Sequence, residues 1–253
     1  MCTTEHFDTK SYEYNSESKI GCYLIHGFSS TTCEVRDLAK FLGKNGYHTK
    51  ADNLPGHATT VEDCNNTKYT EWLEFVEQGL AEMSVTCDKI FVIGMSMGGA
   101  LALHLASMFP IDGVVTGAAV LRFKKHFKLT YLNPLVCYFI PKRDKIKQHN
   151  MISERPPLIY GYSKYPMKGV NEFRKMIPII KNELPKIKCP VLIQYSEVDD
   201  TARKINVEII KNGVASKDVS IIEYHKVSHH IYDDKPEHEQ IFADVLQFLN
   251  LNR

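Results

Sequence analysis

An α/β fold, with a mainly parallel sheet covered by helices on both faces, is predicted by three features of the sequence. Short apolar runs rich in β-branched residues recur at residues 23–25, 90–93, 114–115, 191–193 and 219–222. Between them lie longer stretches with helical spacing, such as Leu38, Phe41 and Leu42, or Trp72, Phe75, Val76 and Leu80. The 253 residues, 43% hydrophobic and 24% charged, sit near globular averages, so one domain over residues 1–253 around one core is expected. Sheets of this kind place their active sites at the carboxyl ends of strands, where the chain turns into the next helix.

Charge and composition exclude several classes. With 31 Lys+Arg against 30 Asp+Glu the formal charge is +1, which excludes nucleic-acid binding driven by bulk charge. No run of about 18 apolar residues exists, so no membrane-inserted helix is expected. Residues 1–10 carry Glu5, Asp8 and Lys10 and lack an apolar h-region, so no secretory signal is expected either. The seven cysteines are odd in number, scattered, and without ligand spacing for zinc. Reduced thiols in a cytoplasmic protein fit that pattern, and no structural metal is expected. Asn65-Asn66-Thr67 matches a glycosylation acceptor, which carries no information without an export signal.

The first apolar run ends at Ile25-His26-Gly27-Phe28, where Gly27 frees the backbone to turn and the Phe28 N–H can point at a developing anion. His26 belongs to the strand end and is expected to be a hydrogen-bonded structural residue. The next strand carries the strongest signal: Ile90-Phe-Val-Ile-Gly94-Met95-Ser96-Met97-Gly98-Gly99 reads as a strand, a one-residue apex and a helix running to Phe109 before Pro110. In Gly94-x-Ser96-x-Gly98 the glycines let the chain fold back sharply and hold the serine hydroxyl clear of the sheet. Ser96 then lies at a helix N-terminus, and Met97 supplies a second N–H for an oxyanion.

Residues 122–165 break the strand–helix rhythm. They are rich in Lys and aromatics and punctuated by Pro134, Pro141, Pro156 and Pro157, which marks an insertion. A helical stretch over residues 168–181 then leads to Pro190 and the strand at 191–195. That strand runs into Ser196-Glu197-Val198-Asp199-Asp200, a carboxylate-rich turn. A serine needs a histidine to take its proton and a carboxylate to orient that histidine, in the chain order serine, acid, base. Asp199, the first aspartate past the strand, is the candidate acid, with Asp200 and Glu197 as rivals, one of which can cap the following helix. The last strand leads to His225-Lys-Val-Ser228-His229-His230-Ile231. His225 lies too near the strand to reach outward, and counting from the strand favours neither His229 nor His230.

With these residues assembled, the chain resembles the α/β-hydrolase superfamily, and within it the small carboxylesterases and monoacylglycerol-lipase-like esterases. His26-Gly27-Phe28 is similar to that branch's oxyanion loop. Leu54-Pro55-Gly56-His57 with Tyr69-x-x-Trp72 is similar to its loop-and-helix signature, and Leu184-Pro-Lys-Ile-Lys-Cys-Pro190-Val-Leu-Ile to its approach to the acid strand. Ala58 departs from the glycine that often follows Leu-Pro-Gly-His, and Val198 lengthens the turn before Asp199. The family's Ser-x-His followed by a β-branched residue maps onto Ser228-His229-His230-Ile231, which makes His230 the implied base. The insertion at about 122–165 becomes a short cap over an acyl pocket, whose aromatics Phe123, Phe127, Tyr131, Tyr138 and Phe139 either line that pocket or, as is commoner, pack the cap onto the sheet. The cluster Lys124, Lys125, Lys128, Lys142, Arg143, Lys145 and Lys147 reads as a solvated face.

The resemblance therefore implies a serine esterase acting on small-molecule carboxylic esters of short to medium acyl length, monoacylglycerols included. Ser96 is its nucleophile, His230 its base and Asp199 its acid, with the Phe28 and Met97 N–H groups as oxyanion donors. No metal or organic cofactor is required. A thioesterase or acyltransferase would use the same residues, and a non-catalytic binding protein would keep the fold and pocket without the reaction.

Overall fold

The five apolar runs become five strands, and each extends a few residues past its apolar centre. The computed structural model describes residues 7–145, 161–233 and 237–253. Along the chain come β1 (Tyr12–Tyr14), β2 (Ile20–Ile25), α1 (Cys33–Lys44), β3 (His48–Ala51), α2 (Val61–Asn66), α3 (Tyr69–Ser84), β4 (Lys89–Met95), α4 (Met97–Met108) and β5 (Gly113–Gly117). A π-helical turn (Lys128–Leu132), α5 (Asn133–Val136), β6 (Lys142–Asp144) and β7 (Lys164–Pro166) follow. The chain continues through α6 (Met167–Glu183), β8 (Val191–Ser196), α7 (Ile205–Gly213), β9 (Val219–Tyr224) and α8 (His238–Asn252).

Seven strands form one sheet in the order β1-β3-β2-β4-β5-β8-β9. Every pairing is parallel except β1 with β3, where Tyr12 stands opposite Ala51. The central strands β2, β4, β5 and β8 are buried almost end to end, as a parallel sheet covered on both faces requires. Two strands had no apolar run to announce them: β1 is Tyr-Glu-Tyr and β3 is His-Thr-Lys-Ala. They form because β2 offers its free edge to β3, and β3 offers its own to β1.

The order reverses at β2, with β3 on one side and β4 on the other. At such a reversal the loops leaving the two strands part, and a crevice opens at their carboxyl ends. The loop after β2 and the turn after β4 both open there. Behind the turn runs α4, buried on all sides from Met97 to Ala106, so it cannot shift without moving the core.

The interval 122–165 leaves the main sheet. Its β6 and β7 form a separate antiparallel pair, with Arg143 opposite Tyr165. Asn65 in α2 ties it down, donating to the Pro141 carbonyl at 2.9 Å and accepting from the Lys168 N–H at 2.9 Å. The amide of the glycosylation-like motif is thus buried and committed to the fold. Of the five aromatics, Phe123 packs edge-on against Phe173 at 5.2 Å. The other four do not pack inward: Phe127 is 67% and Phe139 87% exposed, with Tyr131 and Tyr138 also exposed. The short helices there lack a face long enough to bury four large side chains. Lys147, Pro156 and Pro157 lie outside the described residues. Among the described residues no helix is long and apolar enough to cross a membrane, and no two cysteines are joined in a disulfide.

Candidate active site

Ser96 sits at the apex between β4 and α4 with φ 55° and ψ −111°, a backbone conformation that side-chain-bearing residues rarely adopt. The surroundings impose it. The Ser96 N–H donates to the Gly117 carbonyl at 2.8 Å, and the Ser96 carbonyl accepts from Val120 at 3.3 Å. The flanking glycines follow from the same crowding, since a Cβ on Gly94 would stand 2.0 Å from the Gly98 carbonyl oxygen. One on Gly98 would stand 2.1 Å from the Ile25 carbonyl oxygen. Ser96 keeps 7% exposure, so its hydroxyl is recessed rather than raised clear of the surroundings.

A histidine faces that hydroxyl, and it is His229. Its Nε2 lies 3.0 Å from Ser96 Oγ, and its Nδ1 lies 2.7 Å from Asp199 Oδ2. The second Asp199 oxygen accepts from the Thr201 and Ala202 N–H groups at 2.7 and 3.1 Å. Burial pushes the Asp199 carboxyl up, but the His229 charge and hydrogen bond, with those two N–H donors, outweigh it and hold the carboxyl below its usual range. For His229 burial works downward, while the charge and hydrogen bond of Asp199, then the charge of Glu34, carry the imidazole above its usual value. The rival carboxylates turn elsewhere: exposed Asp200 pairs with Lys124 and Arg203, and exposed Glu197 with His225.

The expectation of His230 at this position is therefore corrected. Its Nδ1 meets Glu34 Oε1 at 2.6 Å, and its ring stands edge-on to His229 at 5.5 Å. The Val227 carbonyl is pinned by Ser196 Oγ at 2.7 Å, and Ile231 and Tyr232 are buried beyond, so the loop is anchored at both ends. Between those anchors the two consecutive side chains take different partners, and it is the first that reaches the serine. The family-like Ser-x-His reading placed the base one residue late because Ser228 directly precedes His229.

The β2–α1 loop brings Phe28 to the same place. His26 behaves as a structural residue: its Nδ1 bonds the Gly27 carbonyl at 2.9 Å and its Nε2 accepts from the Leu54 N–H at 3.0 Å. Burial pushes its imidazole below the usual histidine value. The Gly27 carbonyl also accepts from the Ser30 N–H at 3.3 Å. In a trans peptide that carbonyl and the Phe28 N–H point in opposite directions, so fixing one aims the other. The Met97 N–H is the first of α4 and has no acceptor within the helix. The Phe28 ring packs against His57, Trp72 and Phe173 at 5.8, 6.0 and 6.0 Å, which gives the Leu-Pro-Gly-His and Tyr-x-x-Trp segments their place behind the loop. Glu34 is the participant that sequence reasoning missed, as a lone carboxylate in a first helical turn carries no signal of burial.

A hydroxyl, an imidazole and a carboxylate in file, at the carboxyl ends of β4, β9 and β8, can pass a proton from the oxygen. Residues 16–236 match the model of the family described as serine aminopeptidase, S33. The chain belongs to that family. Within this S33 setting it is 30% identical over 237 residues to a thermostable monoacylglycerol lipase of Bacillus sp. (strain H-257), covering 93% of this chain and 92% of that one. It is 27% identical to a carboxylesterase of Bacillus subtilis (strain 168), over 89% of this chain and 90% of the other. A solved structure from work on LipS and LipT, two metagenome-derived lipolytic enzymes, superposes with a TM-score of 0.84 at 25% identity, covering 96% and 97% of the two chains. The S33 chain thus has the α/β-hydrolase fold.

Proposed function

We propose that this protein is a serine carboxylesterase that hydrolyses short- to medium-chain acyl esters, monoacylglycerols among them. One observation carries the reading: a single imidazole within hydrogen-bond reach of both Ser96 Oγ, at 3.0 Å, and a buried carboxylate, at 2.7 Å. His229 Nε2 takes the Ser96 proton as Oγ attacks the ester carbonyl, and the Phe28 and Met97 N–H groups hold the tetrahedral oxyanion. The imidazolium returns that proton to the leaving alcohol, and an acyl-enzyme remains. Water then gives a proton to the same nitrogen as it attacks the acyl carbonyl, and Ser96 Oγ leaves with the proton restored. Asp199 keeps the Nδ1 proton in place and stabilises the imidazolium in both halves.

The names of the relatives support the ester class. The test is hydrolysis of p-nitrophenyl esters of increasing acyl length by the wild type and by Ser96→Ala, with fluorophosphonate labelling of Ser96 alongside. The wild type is expected to turn over short and medium esters and to be labelled, and the variant to do neither. Undiminished turnover by Ser96→Ala ends the proposal, and a maximum at long acyl chains removes the chain-length part of it.

A further inference from the structure

Glu34 is a fully buried carboxylate that the proposed reaction does not use. It belongs to the first turn of α1, yet its side chain turns inward beneath the β2–α1 loop. Oε2 accepts from the Gly27 N–H at 2.6 Å, and Oε1 meets His230 Nδ1 at 2.6 Å. Gly27 leaves no other room: a Cβ there would stand 2.9 Å from Glu34 Oε2 and 3.1 Å from Ser96 Cβ. One carboxylate therefore joins the β2–α1 loop, at Gly27, to His230, which lies 196 residues beyond Glu34 in the chain.

We propose that Glu34 and His230 form a clasp that positions the Phe28 N–H and the His229 ring over Ser96. The proposal rests on the esterase reading above. Gly27 is held at both ends of its residue, its N–H by Glu34 and its carbonyl by His26 and Ser30, so the peptide carrying the Phe28 N–H has no free rotation. His230 is joined through one peptide bond to His229, and pinning its ring restrains the neighbouring one. The pairing also explains how a carboxylate tolerates this depth. Burial drives Glu34 upward, and the hydrogen bond and charge of His230, then the Gly27 N–H and the charge of His26, bring it below its usual value. An unpaired carboxylate there would be strongly destabilising. Glu34 and His230 are positioning residues, since neither touches the reacting atoms.

The test is steady-state kinetics of Glu34→Leu, Glu34→Gln, His230→Ala and the Glu34→Leu/His230→Ala pair, with rates per Ser96 titrated by fluorophosphonate. Misaiming one oxyanion donor by a fraction of an ångström lowers kcat by roughly 10- to 100-fold, with KM within about threefold. Glu34→Leu is expected to show that loss, and Glu34→Gln to recover most of it, because its amide oxygen still accepts from Gly27. The double variant is expected to be no worse than Glu34→Leu alone. Additive losses, or a kcat for Glu34→Leu within twofold of wild type, overturn the clasp. If Glu34→Leu does not fold, the clasp is read on His230→Ala, whose kcat is expected to fall about tenfold with KM within about threefold, and a kcat within twofold of wild type overturns it. A wild type with no ester turnover strikes the esterase reading instead. The clasp is then read by NMR: a strongly downfield imidazole proton that His230→Ala removes and His229→Ala retains supports it, and absence of that proton overturns it.

Discussion

Replacing His229 and His230 by alanine, one at a time, separates two neighbouring imidazoles by their chemistry. His229→Ala removes the acceptor 3.0 Å from Ser96 Oγ and leaves Asp199 without its partner at 2.7 Å. General-base catalysis alone is worth about 10²- to 10⁴-fold, and residues of a nucleophile–base–acid set fail together, so kcat is expected to fall by about 10⁴ or more, or about 5 kcal/mol in barrier height. His230→Ala removes one hydrogen bond at a side chain that is 27% exposed and leaves the Gly27–Glu34 bond in place. Its expected loss is about tenfold. The two variants thus differ by about a thousandfold in the initial rate of p-nitrophenyl butyrate hydrolysis. Ser96→Ala sets the floor, and circular dichroism verifies that each variant folds. A silent His230→Ala beside an active His229→Ala would refute the assignment and the geometry behind it.

Two further outcomes follow from the same contacts. The acid limb of kcat/KM reports the free-enzyme imidazole, which must be neutral to accept the serine proton; because Asp199 and Glu34 raise His229 against the effect of burial, the midpoint is expected above 6.5. Asp199→Asn withdraws the larger of those two charge effects and should shift the limb to lower pH, alongside a deep loss of kcat; a limb that does not move contradicts this account. Gly98→Ala drives a methyl to 2.1 Å from the Ile25 carbonyl oxygen and 2.6 Å from that of His26, both backbone, so a loss of about 3 kcal/mol and roughly 10 °C in Tm is expected by calorimetry, and an unchanged Tm would show that the elbow yields more than this packing allows.

How much of this was legible depended on the range of the physics involved. The elbow could be read because its constraint is local: two glycines and a serine within five residues meet their own turn and the adjacent strand end. Asp199 was readable for a similar reason, as its oxygen is fixed by N–H groups two and three residues ahead. The choice between His229 and His230 was not local. It turns on Ser196 holding Val227 and on Glu34, far away in sequence, capturing the second ring. Strands β1 and β3 escaped notice because neither carries an apolar run: β1 lies at the sheet edge, and β3, though largely buried, is mostly polar. The exposed Phe127, Tyr131, Tyr138 and Phe139 show the converse, since composition names aromatics but not the side to which a short helix turns them.

The 133 residues between Ser96 and His229 set a timetable for synthesis. A ribosome makes Ser96 and the β2–α1 loop well before the imidazole that faces that serine in the fold. Through that interval the ring that stands 3.0 Å from Ser96 Oγ in the fold has not yet been made. The arrangement around Ser96 is thus completed only once β9 has docked and carried the loop behind it into place.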